Sequence, residues 1–217
     1  MLEVKKYKKP ELSAMFGTKD MQGLKRKLDG YGVIYTVVGR GEKAEFTIVE
    51  IKDEFKVFCI TELGFHAEAD FEKLLFFYYE YFNDVEFMAM PDEVKEVRTE
   101  EKGKKISRQT IANYIAKLDA KNLINKNTKN YIYYFAFEHT QRITDKAEYS
   151  QAWKEYWGCI ENKVSRYTAI ALMRSKYGGV ARKQAIPEIN GIYNDIIEYL
   201  QNLIQKNIEK RINDNGV

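Results

Sequence analysis

Residues 104 to 124, KKISRQTIANYIAKLDAKNLI, hold the side chains with the most chemistry to offer. Ser107 is placed to cap a helix, because its hydroxyl can accept a hydrogen bond from a first-turn N–H that has no partner within the helix. At about 100° per residue, Ile111, Ile115 and Leu118 fall on one stripe, while Gln109, Thr110, Asn113 and Lys117 face the other way beside Ala112 and Ala116. That outer face is polar, donor-rich and slim. Amides and guanidinium groups of this kind pair with base edges, and alanines let a helix settle into a major groove. The chemistry is recognition and the expected partner is double-stranded DNA, with Ser107, Arg108, Gln109, Thr110, Asn113 and Lys117 as reading residues. Lys104, Lys105 and Lys126 flank them as phosphate contacts. The same pattern also describes an ordinary amphipathic helix with a solvated outer face.

The elements that would position this helix can be read on both sides. DFEKLLFFYYEYF (70 to 82) is expected to form a helix, and PDEVKEV, opening with Pro91, a second. Asn122 marks the C-terminal turn of the third, and NKNTKN then leads into the strand YIYYFAF. Near the N-terminus, ELSAMFGTKDMQGLKRKLDGYGVI predicts two short helices separated at Gly17, the second capped by Thr18. Met21, Leu24 and Leu28 lie on one face of it, and Lys19, Gln22 and Arg26 on the other. Gly23 costs about 1 kcal/mol inside a helix, and close approach to a phosphate backbone would be one reason to keep it. VIYTVV and EFTIVEI, joined by GRGEKA, predict a hairpin whose tip carries Arg40 and Lys43. Lys19, Gln22, Lys25, Arg26, Arg40 and Lys43 are thus a second candidate DNA-binding set, unless this part is scaffolding.

The chain resembles the winged helix-turn-helix superfamily, most closely over residues 69 to 138 and loosely over 9 to 52. Ser107, Arg108, Gln109, Thr110, Asn113 and Lys117, with the Ile111, Ile115 and Leu118 core face, carry the resemblance. It implies a third helix in the major groove and a hairpin wing against the backbone. Tandem winged helices also occur in small prokaryotic repressors and in replication initiators of plasmids and phages. Some members of the superfamily bind RNA or protein instead. The turn TEEKGKK before Ser107 is longer and more charged than the tight turn of the motif.

Charge is segregated along the chain. The net value is +3, but residues 1 to 52 carry 11 Lys and Arg against 7 Asp and Glu, 53 to 100 carry 4 against 13, 101 to 146 carry 10 against 4, and 147 to 217 carry 10 against 8. Both candidate reading segments are basic, which concentrates field on a phosphate-facing side, and the acidic stretch between them could attract a basic protein partner. With 217 residues, 45% hydrophobic, a real core is expected. The only long apolar run, LLFFYY, is far short of the ~20 residues of a membrane span, and the first residues have no signal-peptide core, so a cytoplasmic protein with no membrane partner is expected. Cys59 and Cys159 are too few and too far apart for a disulfide framework.

Enzymatic motifs are weak. His66 and His139 are the only histidines, so no His-x-x-x-His zinc pair exists. There is no phosphate-cradling glycine loop ending in Lys-Ser/Thr and no G-x-S-x-G. His139-Thr140-Gln141-Arg142 matches the short H-x-x-R element of tyrosine recombinases without the upstream arginine motif, and His139 reads better as a surface residue after the wing strand. No catalytic residue, metal or cofactor is expected.

The C-terminal third reads as helical. Tyr149, Trp153, Tyr156, Trp157, Ile160 and Val164 recur at helical spacing, favouring core packing over base stacking. After a stop at Gly178 and Gly179, VARKQAI reads as a basic loop, and Pro187 as the first turn of a helix of about 25 residues. Ile189, Ile192, Ile196, Leu200 and Leu203, widened by Tyr193, Ile197 and Ile204, would need cover from the domain or from a second copy, so a homodimer is expected. Glycine, proline and charge cluster near 53 to 68, 139 to 147 and 176 to 187. The overall expectation is an α+β chain of tandem winged-helix-like units followed by a helical region, with domains over 1–60, 61–145 and 146–217. Its expected use is transcriptional regulation, against a plasmid or phage replication or partition factor, or a module that blocks or recruits a protein partner.

Overall fold

A computed structural model describes residues 1–138, 140–190 and 194–214. The fold is α+β and divides into two compact units, residues 1–72 with 195–217, and residues 73–194. This division differs from boundaries at 60 and 145, and it groups residues 195–217 with the N-terminal residues.

In the first unit, β1 (Lys6–Lys8) leads directly into α1 (Lys9–Phe16), which stops at Gly17 in the left-handed conformation (φ 60°). The next helix, α2 (Met21–Gly30), is capped by Asp20 rather than Thr18: the Asp20 carboxylate accepts the Gly23 N–H at 2.6 Å. That bond also accounts for Gly23. A Cβ there would lie 2.4 Å from Asp20 Oδ2 and 2.8 Å from Thr18 Oγ1, so the cap itself, with no phosphate needed, requires glycine. The expected hairpin forms from β2 (Val33–Val38) and β3 (Glu45–Ile51), with β1 added on the other edge of β3, giving the order β1-β3-β2. Leu12, Phe16, Leu24, Leu28, Phe46 and Ile48 form the core between helices and sheet.

The stretch after the hairpin, expected as a boundary, is a helix, α3 (Glu54–Thr61), capped by Asp53 and burying Phe55, Val57, Phe58 and Cys59. Burial pushes the Cys59 thiol well up, so it stays protonated and inert. The last helix, α10 (Asn194–Asp214), belongs to this same unit. Tyr199 meets Phe58 at 5.6 Å between ring centres, and Lys206 and Arg211 reach Glu54 and Glu72 at 3.4 and 3.9 Å. Ile197, Leu200, Leu203 and Ile204 are buried by the chain's own residues, which removes the reason for expecting a second copy on that stripe. Ile196 sits off the stripe and is 38% exposed, while Ile192 and Tyr193 lie outside the described residues.

The second unit is built around α4 (Phe71–Asn83), where Phe77 is ringed by Tyr78, Tyr81, Phe87 and Tyr114 at 5.5 to 6.0 Å. A short α5 (Val85–Ala89) precedes α6 (Asp92–Glu101), which Pro91 introduces from the N-cap position, and α7 (Arg108–Ala120) follows. The face of α6 that is buried holds Lys95 and Thr99; its valines are only half-buried. Beyond α7 come β4 (Ile124–Asn125), β5 (Tyr131–Phe137) and β6 (Thr140–Thr144). α8 (Lys146–Glu161) and α9 (Arg166–Tyr177) cover one face of the sheet β6-β5-β7, whose third strand is β7 (Val180–Ala185), where Phe135 stacks on Tyr177 at 5.0 Å and Tyr133 meets Tyr149 at 4.9 Å.

Two C-terminal expectations are corrected here. VARKQA is not a loop but β7 (Val180–Ala185), an edge strand paired antiparallel with β5. Pro187 does not open a helix, because Glu188 and Ile189 form β8, which pairs with β4; α10 is described over Asn194–Asp214. The expectation for His139 falls outside the described residues.

Candidate nucleic-acid interface

α7 starts where its cap predicts. Ser107 Oγ accepts the Thr110 N–H at 3.3 Å and lies 2.9 Å from Thr110 Oγ1, so both hydroxyls are engaged in closing the first turn. One side of the helix is fully committed to the core: Ile111 and Leu118 are 0% exposed, and Tyr114 and Ile115 are buried beside them. Each such side chain contributes roughly 1.5–3 kcal/mol by burial, which fixes the rotation of the helix. Gln109, Asn113 and Ala116 therefore form an exposed line at i, i+4 and i+7, with Thr110, Ala112 and Lys117 half-buried at its margins. Asn122, in the left-handed conformation (φ 53°), ends the helix, and Leu123 N–H returns to Leu118 O at 3.0 Å.

The cations near α7 are arranged less simply than the sequence suggests. Arg108 is exposed but bonded to Glu93 of α6 at 2.9 Å, and the Glu93 carboxyl is held below the usual carboxylate range by a backbone hydrogen bond and then by Arg108. Lys105 is exposed, 3.7 Å from Glu100, and Lys104 is half-buried in the same turn. Lys126 bridges to Asp119 at 2.8 Å beyond the opposite end of the helix. At 1.5 Å per residue the 13-residue helix is about 20 Å long, so Lys126 and the Lys104–Lys105 pair flank the exposed line from its two ends. Exposed pairs of this kind are worth about 0–1 kcal/mol and can exchange partners for phosphates.

In the first unit Lys19 lies in the turn before α2, and Gln22, Lys25 and Arg26 are exposed on the helix itself. Arg40 and Lys43 are exposed at the hairpin tip, where Glu42 reaches back to Lys9 of α1 at 2.5 Å and holds the tip to the helix.

Two features escaped sequence reading. Arg182, Lys183 and Gln184 are exposed on β7, with Lys183 4.5 Å over the Tyr131 ring. Lys95 and Tyr81 are buried together, with the Lys95 ammonium 5.9 Å from the centre of the Tyr81 ring. A lysine flanked by Glu, Asp and Val on a short helix looks solvated, and only the packing of α6 on α4 turns it inward. Among the described residues no group of three or more His, Cys, Asp or Glu is placed to hold a metal, and no helix is long and apolar enough to cross a membrane. No protein-family model matches the chain, nor does any curated protein or solved structure.

Proposed function

We propose that the protein binds duplex DNA without catalysing a reaction, reads it with α7 and serves as a transcriptional regulator. In this reading α4, α6 and α7 with the hairpin β5–β6, and α1 and α2 with the hairpin β2–β3, act as two winged-helix-like units. The observation that carries the proposal is the exposed line Gln109, Asn113 and Ala116 on a helix whose opposite side is buried. Two amides of the type that pair with adenine, next to a methyl-sized gap, are suited to a major groove. A replication or partition role for the same DNA contact differs in use, not in mechanism. Self-association through α10 forms no part of the proposal.

Duplexes selected from a random pool by the purified protein supply the test. Gln109→Ala and Asn113→Ala should each weaken the selected site by about 1–3 kcal/mol and relax specificity at one position, with random duplex unaffected. Equal losses on both would remove α7 from the reading role. The ion pairs of Arg108 with Glu93 and Lys126 with Asp119 leave fewer cations open than the sequence implies, which favours a protein-binding surface as the second reading. Absence of duplex binding at low salt would select that reading.

A further inference from the structure

The second unit contains a cavity of about 360 Å³ behind α7, lined by Tyr81, Met88, Lys95, Ile115, Lys126 and Gln184 among others. Its walls are of two kinds. Met88 and Ile115, with Met90 and Ala112, are apolar, whereas Tyr81 of α4 and Lys95 of α6 each bring a donor-bearing side chain to the lining. The Tyr81 side chain is 0% exposed, and its hydroxyl has no hydrogen-bond partner among the described residues. A buried hydroxyl left unpaired costs roughly 1–3 kcal/mol, so a native structure keeps one only for a reason. Lys95 is 3% exposed; its ammonium donates to the Met90 carbonyl and stands 3.7 Å from Asp92, long for a hydrogen bond, which leaves donor capacity unused.

We propose that this cavity is a binding site for a small carboxylate with an apolar body. One carboxylate oxygen accepts from the Tyr81 hydroxyl and the other from the Lys95 ammonium, while the body packs on Met88, Met90 and Ile115. A neutral carbonyl or alcohol could accept from both donors but would bring no charge to offset the ammonium. Lys95 supplies the positive charge of the site: burial lowers its pKa to about 8, with Asp92 and then Glu93 opposing the shift. Asp92, in the lining, and Asp119 oppose negative charge at the Tyr81 hydroxyl, and Asp119 is offset by Lys126 at 2.8 Å. The volume falls within the range of small-ligand pockets, and the lining is more polar than apolar, which suits a small charged ligand. The site is argued from the cavity alone and stands whether or not α7 reads DNA.

The test uses the full chain and fluorine NMR with three probes of increasing body size, trifluoroacetate, 4,4,4-trifluorobutyrate and 4-fluorobenzoate, with 4-fluorobenzamide as a neutral isostere. At least one carboxylate, the larger ones most strongly, should bind saturably, and the amide should bind at least tenfold more weakly than 4-fluorobenzoate. Tyr81→Phe keeps the ring and its packing, so it should fold with an unchanged or raised melting temperature and lose fivefold or more in carboxylate affinity. Lys95→Met should abolish binding, and Tyr81→Phe decides the matter if that variant does not fold. No saturable carboxylate binding, equal affinity for the amide, or undiminished affinity in Tyr81→Phe would each overturn the proposal.

Discussion

At the scale of single residues, Lys95 makes the protein's stability depend on pH in a predictable direction. Its ordinary pKa of 10.5 is lowered to about 8 by burial, so between these values the unfolded chain holds a proton that the folded chain has released. Stability from this group is therefore complete above pH 10.5 and is lost as pH falls through 8. Tyr35, raised to about 12 by burial and by Asp29, and Tyr81, raised by burial, act in the opposite sense once pH passes 10. Urea denaturation should show stability rising from pH 8 to 10, and Lys95→Met should flatten that rise; an unchanged profile would contradict the buried ammonium. Gly23 makes a second prediction. Alanine in a helix normally gains about 1 kcal/mol over glycine, but at 2.4 Å from Asp20 Oδ2 the new methyl must displace the cap. Gly23→Ala should give no gain or a loss in wild type, and recover the gain of about 1 kcal/mol in an Asp20→Ala background. Additive effects in chemical denaturation would place the methyl and the cap apart.

At the scale of elements, α10 shows an apolar stripe that the chain's own residues bury. Leu203 is 1% exposed within the first unit, whereas Ile196 is 38% exposed. Leu203→Ala should cost about 2–5 kcal/mol in unfolding free energy, while Ile196→Asp should cost under about 1 kcal/mol and leave the oligomeric state unchanged in sedimentation. A Leu203→Ala protein as stable as wild type, or a change of mass with Ile196→Asp, would show that this helix packs elsewhere. Elements that rest on local periodicity and capping were legible: α7 from Ser107 to its stop at Asn122, the β2–β3 hairpin, and α4 with its aromatic run. Elements made by distant pairing were not. VARKQA lacks the alternation of a half-buried strand because it is a charged edge, held by β5 some 45 residues earlier in the chain. Pro187 mimics a helix start, yet Glu188 and Ile189 are claimed by β4 from still farther back, 63 to 65 residues earlier in the chain. The candidate reading residues were visible because exposure follows from the helix period, but the Arg108–Glu93 and Lys126–Asp119 pairs depend on which elements become neighbours.

At the scale of the whole molecule, charge divides between the two units differently from the way it divides along the sequence. The first unit carries 15 Lys and Arg against 17 Asp and Glu, and the second 20 against 15, so net values of −2 and +5 follow. The acidic residues around α3 and α10 fall in the same unit as the basic N-terminal segment and offset it. The second unit, which contains α7, therefore holds the positive field, and a phosphate backbone should be drawn to it first. The most direct measurement is affinity for a selected and a random duplex as a function of salt, from about 50 to about 200 mM, where each phosphate contact contributes a slope near 0.9. Neutralising Lys104, Lys105 and Lys126 together should weaken both duplexes and lower the slope by roughly 2–3, whereas neutralising Lys25, Arg26 and Arg40 should lower it less. No duplex binding at low salt, or a slope that the first triple substitution leaves unmoved, would contradict the DNA-binding account and leave the protein-interaction reading in its place.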